Sequence, residues 1–234
     1  SINTKNSQIR LLSVERDYLV DLGKNGGKNK LATSTNLGNI DLCVSKVNEL
    51  LGLNIDSYVQ VDISGVVKAI DLLGGVDVDL SKDEVEMLKQ GLAYTGNEAM
   101  YKDIKEGKNT LNGTQAYAYI RLREHEGNID DIESNAIRNN RHVNVFKSLL
   151  DKGLKLKDDE ILKIANEVIQ VVNTNISFSD VLDIIYGIRN FKMDSIKYAR
   201  SPMTDFERIK VGFHQVVVPK DIENEKNAVN EFLY

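Results

Sequence analysis

Short runs of alternating apolar and polar residues fill the first third of the chain, and longer helical spacings fill the rest. Residues 9–14 and 18–20 have the alternation and branched side chains of strands, and the Gly-, Asn- and Lys-rich stretch 23–30 reads as a loop. A helix is predicted over 40–51, capped at Asn39 and closed by Gly52. Residues 58–63 alternate as a strand, and a short helix opens at Ser64-Gly65 and stops at Gly74-Gly75. Residues 76–80 alternate strictly, with Val76, Val78 and Leu80 against Asp77 and Asp79. A capped helix follows over 81–90, then a segment at 115–119, a long helix over about 132–152, and helices near 158–172 and 177–190. Strand character returns at 195–199 and 213–218. Strands interleaved with helices predict an α/β fold with a mixed central β-sheet flanked by helices. No repeat, low-complexity segment or linker interrupts the pattern, so residues 1–234 are expected to form a single domain.

Composition narrows the function classes. The formal net charge of −5, with a pI near 5.4, argues against broad nucleic-acid binding but leaves room for a local basic pocket. The single Cys43 cannot form an internal disulfide and lies in a half-apolar helical stretch, which favours a packing role. No run of about 20 apolar residues offers a membrane span, and no signal-peptide pattern opens the chain. The abrupt start in a strand-like segment reads as a fragment whose upstream part is missing.

Three clusters can carry chemistry. In the long helix, Val145, Phe146, Leu149 and Leu150 form an apolar stripe, and spacings of three and four extend it to Arg138, Arg141 and His142. Guanidiniums at the end of a buried stripe need an anion, which is either a ligand or an ion-pair partner such as Asp131 or Glu133. Arg121 and Arg123 point to one side only if the chain there is extended rather than helical; they then suit a pyrophosphate or a carboxylate, or simply form a polar edge. Ser13-Val14-Glu15-Arg16-Asp17 lies at a strand end, where open α/β sheets bind ligands. Asp77 and Asp79 suit either a metal or a strand's wet face. The chain has no P-loop, dinucleotide glycine fingerprint, zinc spacing or nucleophile elbow, and His125, His142 and His214 are scattered.

Taken together, these clusters resemble the LytR-CpsA-Psr family over about residues 2–150, with a weaker echo at Val172-Asn173-Thr174-Asn175-Ile176-Ser177. The similarity rests on Leu11-Leu12-Ser13-Val14-Glu15-Arg16-Asp17, Lys30-Leu31, Leu50-Leu51-Gly52-Leu53, Ile70-Asp71-Leu72-Leu73-Gly74-Gly75-Val76-Asp77-Val78, and Leu111-Asn112-Gly113-Thr114-Gln115-Ala116-Tyr117-Ala118-Tyr119 leading into Arg121 and Arg123. Arg138, Arg141 and His142 fall on the family's helix. Glu15 stands where the family has proline, Asn135 where it has Asp, and His142 where it has Gln. The resemblance implies a groove between sheet and helices that holds a polyprenyl tail. It also implies transfer of an anionic glycopolymer from a polyprenyl-pyrophosphate carrier to a peptidoglycan hydroxyl by phosphoryl transfer. It assigns catalysis to Arg16, Asp17 and Arg121, and pyrophosphate binding to Arg16, Lys30, Arg121, Arg123, Arg138, Arg141 and His142. It further implies Mg2+ on aspartates upstream of this chain, and a single-pass anchor, also upstream, at the outer face of a Gram-positive-type membrane. A lipid-pyrophosphate-binding regulatory protein and a pyrophosphatase are the alternatives.

Overall fold

The computed structural model describes residues 1–37, 40–93, 96–122 and 131–234, with side chains from 137 onward in the last stretch. It is a mixed α/β structure whose contacts group the chain into two compact units: Ser1–Tyr58 with Asp194–Tyr234, and Val59–Met193.

The first unit holds the mixed sheet. The strand Gln8–Val14 pairs antiparallel with Ile2–Asn3 and parallel with Ile196–Ser201, in register from Ile9↔Ile196 to Val14↔Ser201. Beside it lie two antiparallel ribbons, Leu19–Asp21 with Lys28–Lys30 and Phe206–Val211 with His214–Pro219, the first of which places a strand inside the expected 23–30 loop. Gly212 takes a φ of +59° in the second ribbon's tight turn, a conformation that glycine adopts without a Cβ penalty. A Tyr18↔Val217 bridge joins the ribbons, and both residues are fully buried with Val20, Leu22 and Leu31. Each such side chain contributes about 1.5–3 kcal/mol on leaving water. The helices Ile40–Leu51 and Ile222–Leu233 pack together.

A polar anchor sits inside this unit. Glu225 is fully buried, and its carboxylate accepts hydrogen bonds from Ser201 Oγ (2.7 Å), the Met203 and Thr204 amides (both 2.9 Å to Oε2) and Thr204 Oγ1 (2.8 Å). Tyr18 Oη reaches Ser201 Oγ at 2.8 Å and Glu225 at 3.3 Å. Burial alone pushes the Glu225 carboxyl up, but these donors outweigh it and hold the carboxyl below its ordinary value.

The second unit is built on the ribbon Val76–Leu80 with Gly107–Leu111, whose pairs run from Val76↔Leu111 to Leu80↔Gly107. The alternation legible at 76–80 is observed: Val76, Val78 and Leu80 are buried and both aspartates exposed. Asp77 accepts from Thr110 Oγ1 at 2.6 Å and lies 3.4 Å from Lys152 Nζ, so this acidic stripe is a wet strand face with partners of its own. A second ribbon pairs Val59–Val61 with Val172–Thr174, so the expected helix near 158–172 ends earlier, as Asp158–Ile169. The helix Gly113–Arg121 opens with a capping box between Asn112 and Gln115. Gly113 presses against Ile63–Leu72 so closely that a Cβ there would lie 2.2 Å from the Val67 carbonyl oxygen. Around this contact Ile70, Leu88, Leu111, Tyr119 and Val145 form the core. No helix among the described residues is long and apolar enough to cross a membrane.

Candidate functional site

In the first unit, a loop carrying candidate residues follows the strand Gln8–Val14. Glu15 is buried and paired with the Arg200 guanidinium, with Arg200 Nε 3.1 Å from Oε2. Its negative charge is therefore matched inside the unit. The Glu15 amide also bonds the Ser201 carbonyl at 3.0 Å, so two ties hold the loop where Arg16 emerges. Arg16 is exposed; its backbone carbonyl accepts from Ala32 at 2.9 Å and its Nε lies 3.5 Å from Asp17 Oδ1. Lys30 Nζ contacts the same oxygen at 2.8 Å. Burial raises the Asp17 carboxyl, but Lys30, helped by Arg16, lowers it further and leaves a net downward shift. Asp17 is thus held as a carboxylate between two cations, Lys30 and Arg16.

In the second unit, the other candidate residues lie at the junction of two helices. Gly113–Arg121 ends at Leu122, which leaves helical geometry at ψ 134°. The departure needed for Arg121 and Arg123 to share a side begins at Leu122, while Arg123 itself lies outside the described residues. Arg121 is exposed, bonded to Tyr117 Oη at 2.6 Å, with its guanidinium over the Tyr117 ring. The carbonyls at this helix end, which carry the negative pole of its dipole, are met by the long helix Asp131–Leu154. His142 Nε2 lies 3.2 Å from the Ile120 carbonyl, and Arg141 Nη1 lies 3.0 Å from that of Leu122. The His142 ring is desolvated enough, with Arg138 adding repulsion, to hold its pKa below the ordinary 6.5 despite the Ile120 bond. It is neutral at pH 7, with Nε2–H donating and Nδ1 left as an acceptor.

Arg141 differs from its neighbours. It is 2% exposed, donates from Nε to Glu84 Oε1 at 2.8 Å, and lies near the Tyr119 ring. In place of the expected substrate pyrophosphate, it takes its anion from within the chain, and its role is to lock the long helix to Lys82–Ala93. Glu84 does this while its other oxygen caps the Ser81 amide at 3.1 Å. The side chains of Asp131, Glu133 and Asn135 lie outside the described residues.

Farther along the same long helix, Leu149, Leu150 and Leu154 wall a cavity of about 270 Å³ in the second unit. The stripes Ile161–Ala165–Val168 and Val181–Ile185–Ile188 close it from the next two helices. Its lining is almost wholly apolar, as a site for a hydrocarbon should be. These stripes were visible as helical spacings in the sequence, but their convergence on a hollow was not.

Among the described residues, no three or more His, Cys, Asp or Glu side chains lie together to hold a metal ion. Asp17, the acid of the first cluster, already has Lys30 on its carboxylate. These residues do not fit a magnesium site.

The LytR_cpsA_psr family model matches residues 1–231. The chain belongs to the LytR-CpsA-Psr family. Among members of that family, it is 30% identical over 209 residues to the polyisoprenyl-teichoic acid–peptidoglycan teichoic acid transferase TagV of Bacillus subtilis, an alignment covering 87% of this chain and 51% of TagV. It is 26% identical to biofilm regulatory protein A of Streptococcus mutans, over 98% of this chain and 55% of that protein. The chain thus spans about half the length of these curated relatives. In fold it resembles the crystal structure of B. subtilis TagV, with a TM-score of 0.75 at 24% identity over 99% of this chain and 86% of that one. TagT bound to LI-WTA gives 0.74 at 21% identity, over 99% and 81%.

Proposed function

We propose that this LytR-CpsA-Psr chain transfers an anionic glycopolymer from a polyprenyl-pyrophosphate carrier to a peptidoglycan hydroxyl at the outer face of the membrane. One observation carries the reading: a single helix bears Arg138 and His142 near one end and the wall of an apolar cavity near the other. A charged head with a long hydrocarbon tail is the ligand that matches both. The names of the relatives, teichoic acid transferases among them, agree with it.

In this reading Arg121 and Arg138 hold the pyrophosphate in the second unit, joined by Arg123. In the first unit Arg16 and Lys30, oriented by Asp17, form a separate group of cations suited to an anion. The acceptor hydroxyl oxygen attacks the phosphorus that carries the sugar. The bond from that phosphorus to the bridging oxygen breaks, lipid phosphate leaves, and the hydroxyl proton passes to solvent. Phosphoryl transfer needs mainly positioning and charge neutralisation, which fixed guanidiniums provide. No step is routed through magnesium, for which the described residues offer no site.

The test is to incubate the chain with a polyprenyl-pyrophosphate saccharide and peptidoglycan fragments and to weigh the products by mass spectrometry. An acceptor–phosphate–saccharide adduct, lost in Arg138→Ala, is the expected result. A free phosphosaccharide without adduct would make the chain a pyrophosphatase, and binding without either product would make it a binding protein.

A further inference from the structure

The cavity has two distinct ends. Its lining is apolar apart from Thr174 and Arg189, and Arg189 is the one charged residue among the described residues that line it. At 1.5 Å of rise per residue, Leu154 lies about 24 Å along the long helix from Arg138. Arg189 stands at that distal end: its Nη2 is 3.4 Å from the carbonyl of Leu156, just past the helix, and its Nη1 pairs with Asp158. Asp158 opens the wall helix Asp158–Ile169 and Arg189 caps the end of the wall helix Phe178–Ile188. Each charge sits at the helix end whose dipole favours it, and together they tie the two walls across the cavity.

We infer that the Arg189–Asp158 pair is a distal latch that determines which length of polyprenyl tail the chain accepts. This rests on the proposed binding of a polyprenyl pyrophosphate. A guanidinium is costly on an apolar wall unless it can keep water, and side-chain exposures of 38% and 67% show that the pair keeps it while Arg189 lines the cavity. A tail shorter than the cavity leaves the pair closed. A longer one that runs out on this side parts it, at a small cost, since exposed ion pairs contribute little.

The experiment measures the affinities of the chain for a short and a long polyprenyl pyrophosphate, with Asp158→Asn and Arg189→Met as variants. Arg189→Met keeps the apolar stem against the wall, and Asp158→Asn leaves the lining untouched. The preference for the long tail over the short is expected to rise about two- to fivefold in both variants, the range an exposed ion pair spans. High salt should raise the same ratio in the unmodified chain and leave the variants unmoved; using the ratio cancels the salt dependence of the headgroup. An unchanged ratio, or an equal change for both lengths, overturns the latch while leaving the proposed function standing. Failure of either tail to bind the unmodified, folded chain overturns the function itself.

Discussion

His142 gives the sharpest test of the anion site. In the resting structure its Nε2 faces the Ile120 carbonyl at 3.2 Å, so the neutral ring presents only the Nδ1 lone pair outward. A phosphate oxygen is also an acceptor, and the two repel. Contact therefore requires protonation of the ring, whose pKa the chain holds below 6.5 through desolvation, with repulsion from Arg138. Binding should thus take up a proton. Above the folded ring's own pKa, affinity rises up to tenfold for each unit that pH falls, until the ring is charged without help. A hydrogen bond between charged groups contributes about 1.5–3 kcal/mol, so the full span is about ten- to a hundredfold. The phosphate's second protonation, with a pKa of about 6, works in the opposite direction and must be subtracted. His142→Gln is the control, because a glutamine donates a hydrogen bond at any pH. Titrating a polyprenyl pyrophosphate into both proteins between about pH 5.5 and 7.5 should give affinities that diverge, with the histidine protein gaining on the glutamine variant as pH falls. Parallel curves would refute the contact. The same lowered pKa has a cost without ligand. Stability attributed to the neutral ring is complete above 6.5 and declines as pH falls toward the folded value.

Other substitutions separate binding residues from structural ones. Arg121→Ala should weaken pyrophosphate binding at least tenfold while the thermal midpoint stays within about 2 °C, because the side chain is exposed and its partner is a phenol; a large fall in the midpoint would mean that Arg121 is structural. Arg141→Ala should do the reverse, costing about 3–5 kcal/mol in denaturant unfolding by stranding Glu84. Gly113→Ala puts a methyl group into the backbone of Val67 and should cost about 1–3 kcal/mol or more, read from the same unfolding curves. Glu225→Gln replaces an acceptor with a donor among five donors and should cost about 1–3 kcal/mol at pH 7. Because the Glu225 carboxyl is lowered from its ordinary 4.5, its contribution is present above that value and lost as pH falls through the folded one, so the gap between wild type and variant should narrow on acidification.

The parts of the fold legible in the sequence are those whose burial is written in their own periodicity. Val76–Leu80 was unmistakable because one face is apolar and the other acidic. Its partner Gly107–Leu111 was not, since only Leu111 is buried and the strand exists through its pairing with 76–80. The strand Phe206–Val211 escaped notice for a related reason: Glu207 and Lys210 break the apolar run, and the hairpin rather than the sequence pattern defines it. At the candidate site, the order of motifs singled out Arg16, Arg121, Arg138 and Arg141 alike, and nothing local distinguished Arg141 from Arg138. The anion that claims Arg141 is Glu84, 57 residues away in sequence, and only packing brings it near. The counter-charge for Glu15 is more distant still, at Arg200.

The composition of the first unit constrains how the chain can be made. Its central parallel pairing joins residues near the start, Gln8–Val14, to Ile196–Ser201 near the end, and the Glu225 anchor comes from the last helix. A ribosome delivers these pieces far apart in time. Val59–Met193 is contiguous and can complete its core while later residues are still being synthesised, but the strand Gln8–Val14 must wait, without its parallel partner, until Ile196–Ser201 emerges. That interval is long by the standard of local contacts, and an unpaired strand is adhesive. Loss of the helix Ile222–Leu233 would remove the Glu225 carboxylate from Ser201, the residue whose carbonyl holds the Glu15 amide beside Arg16.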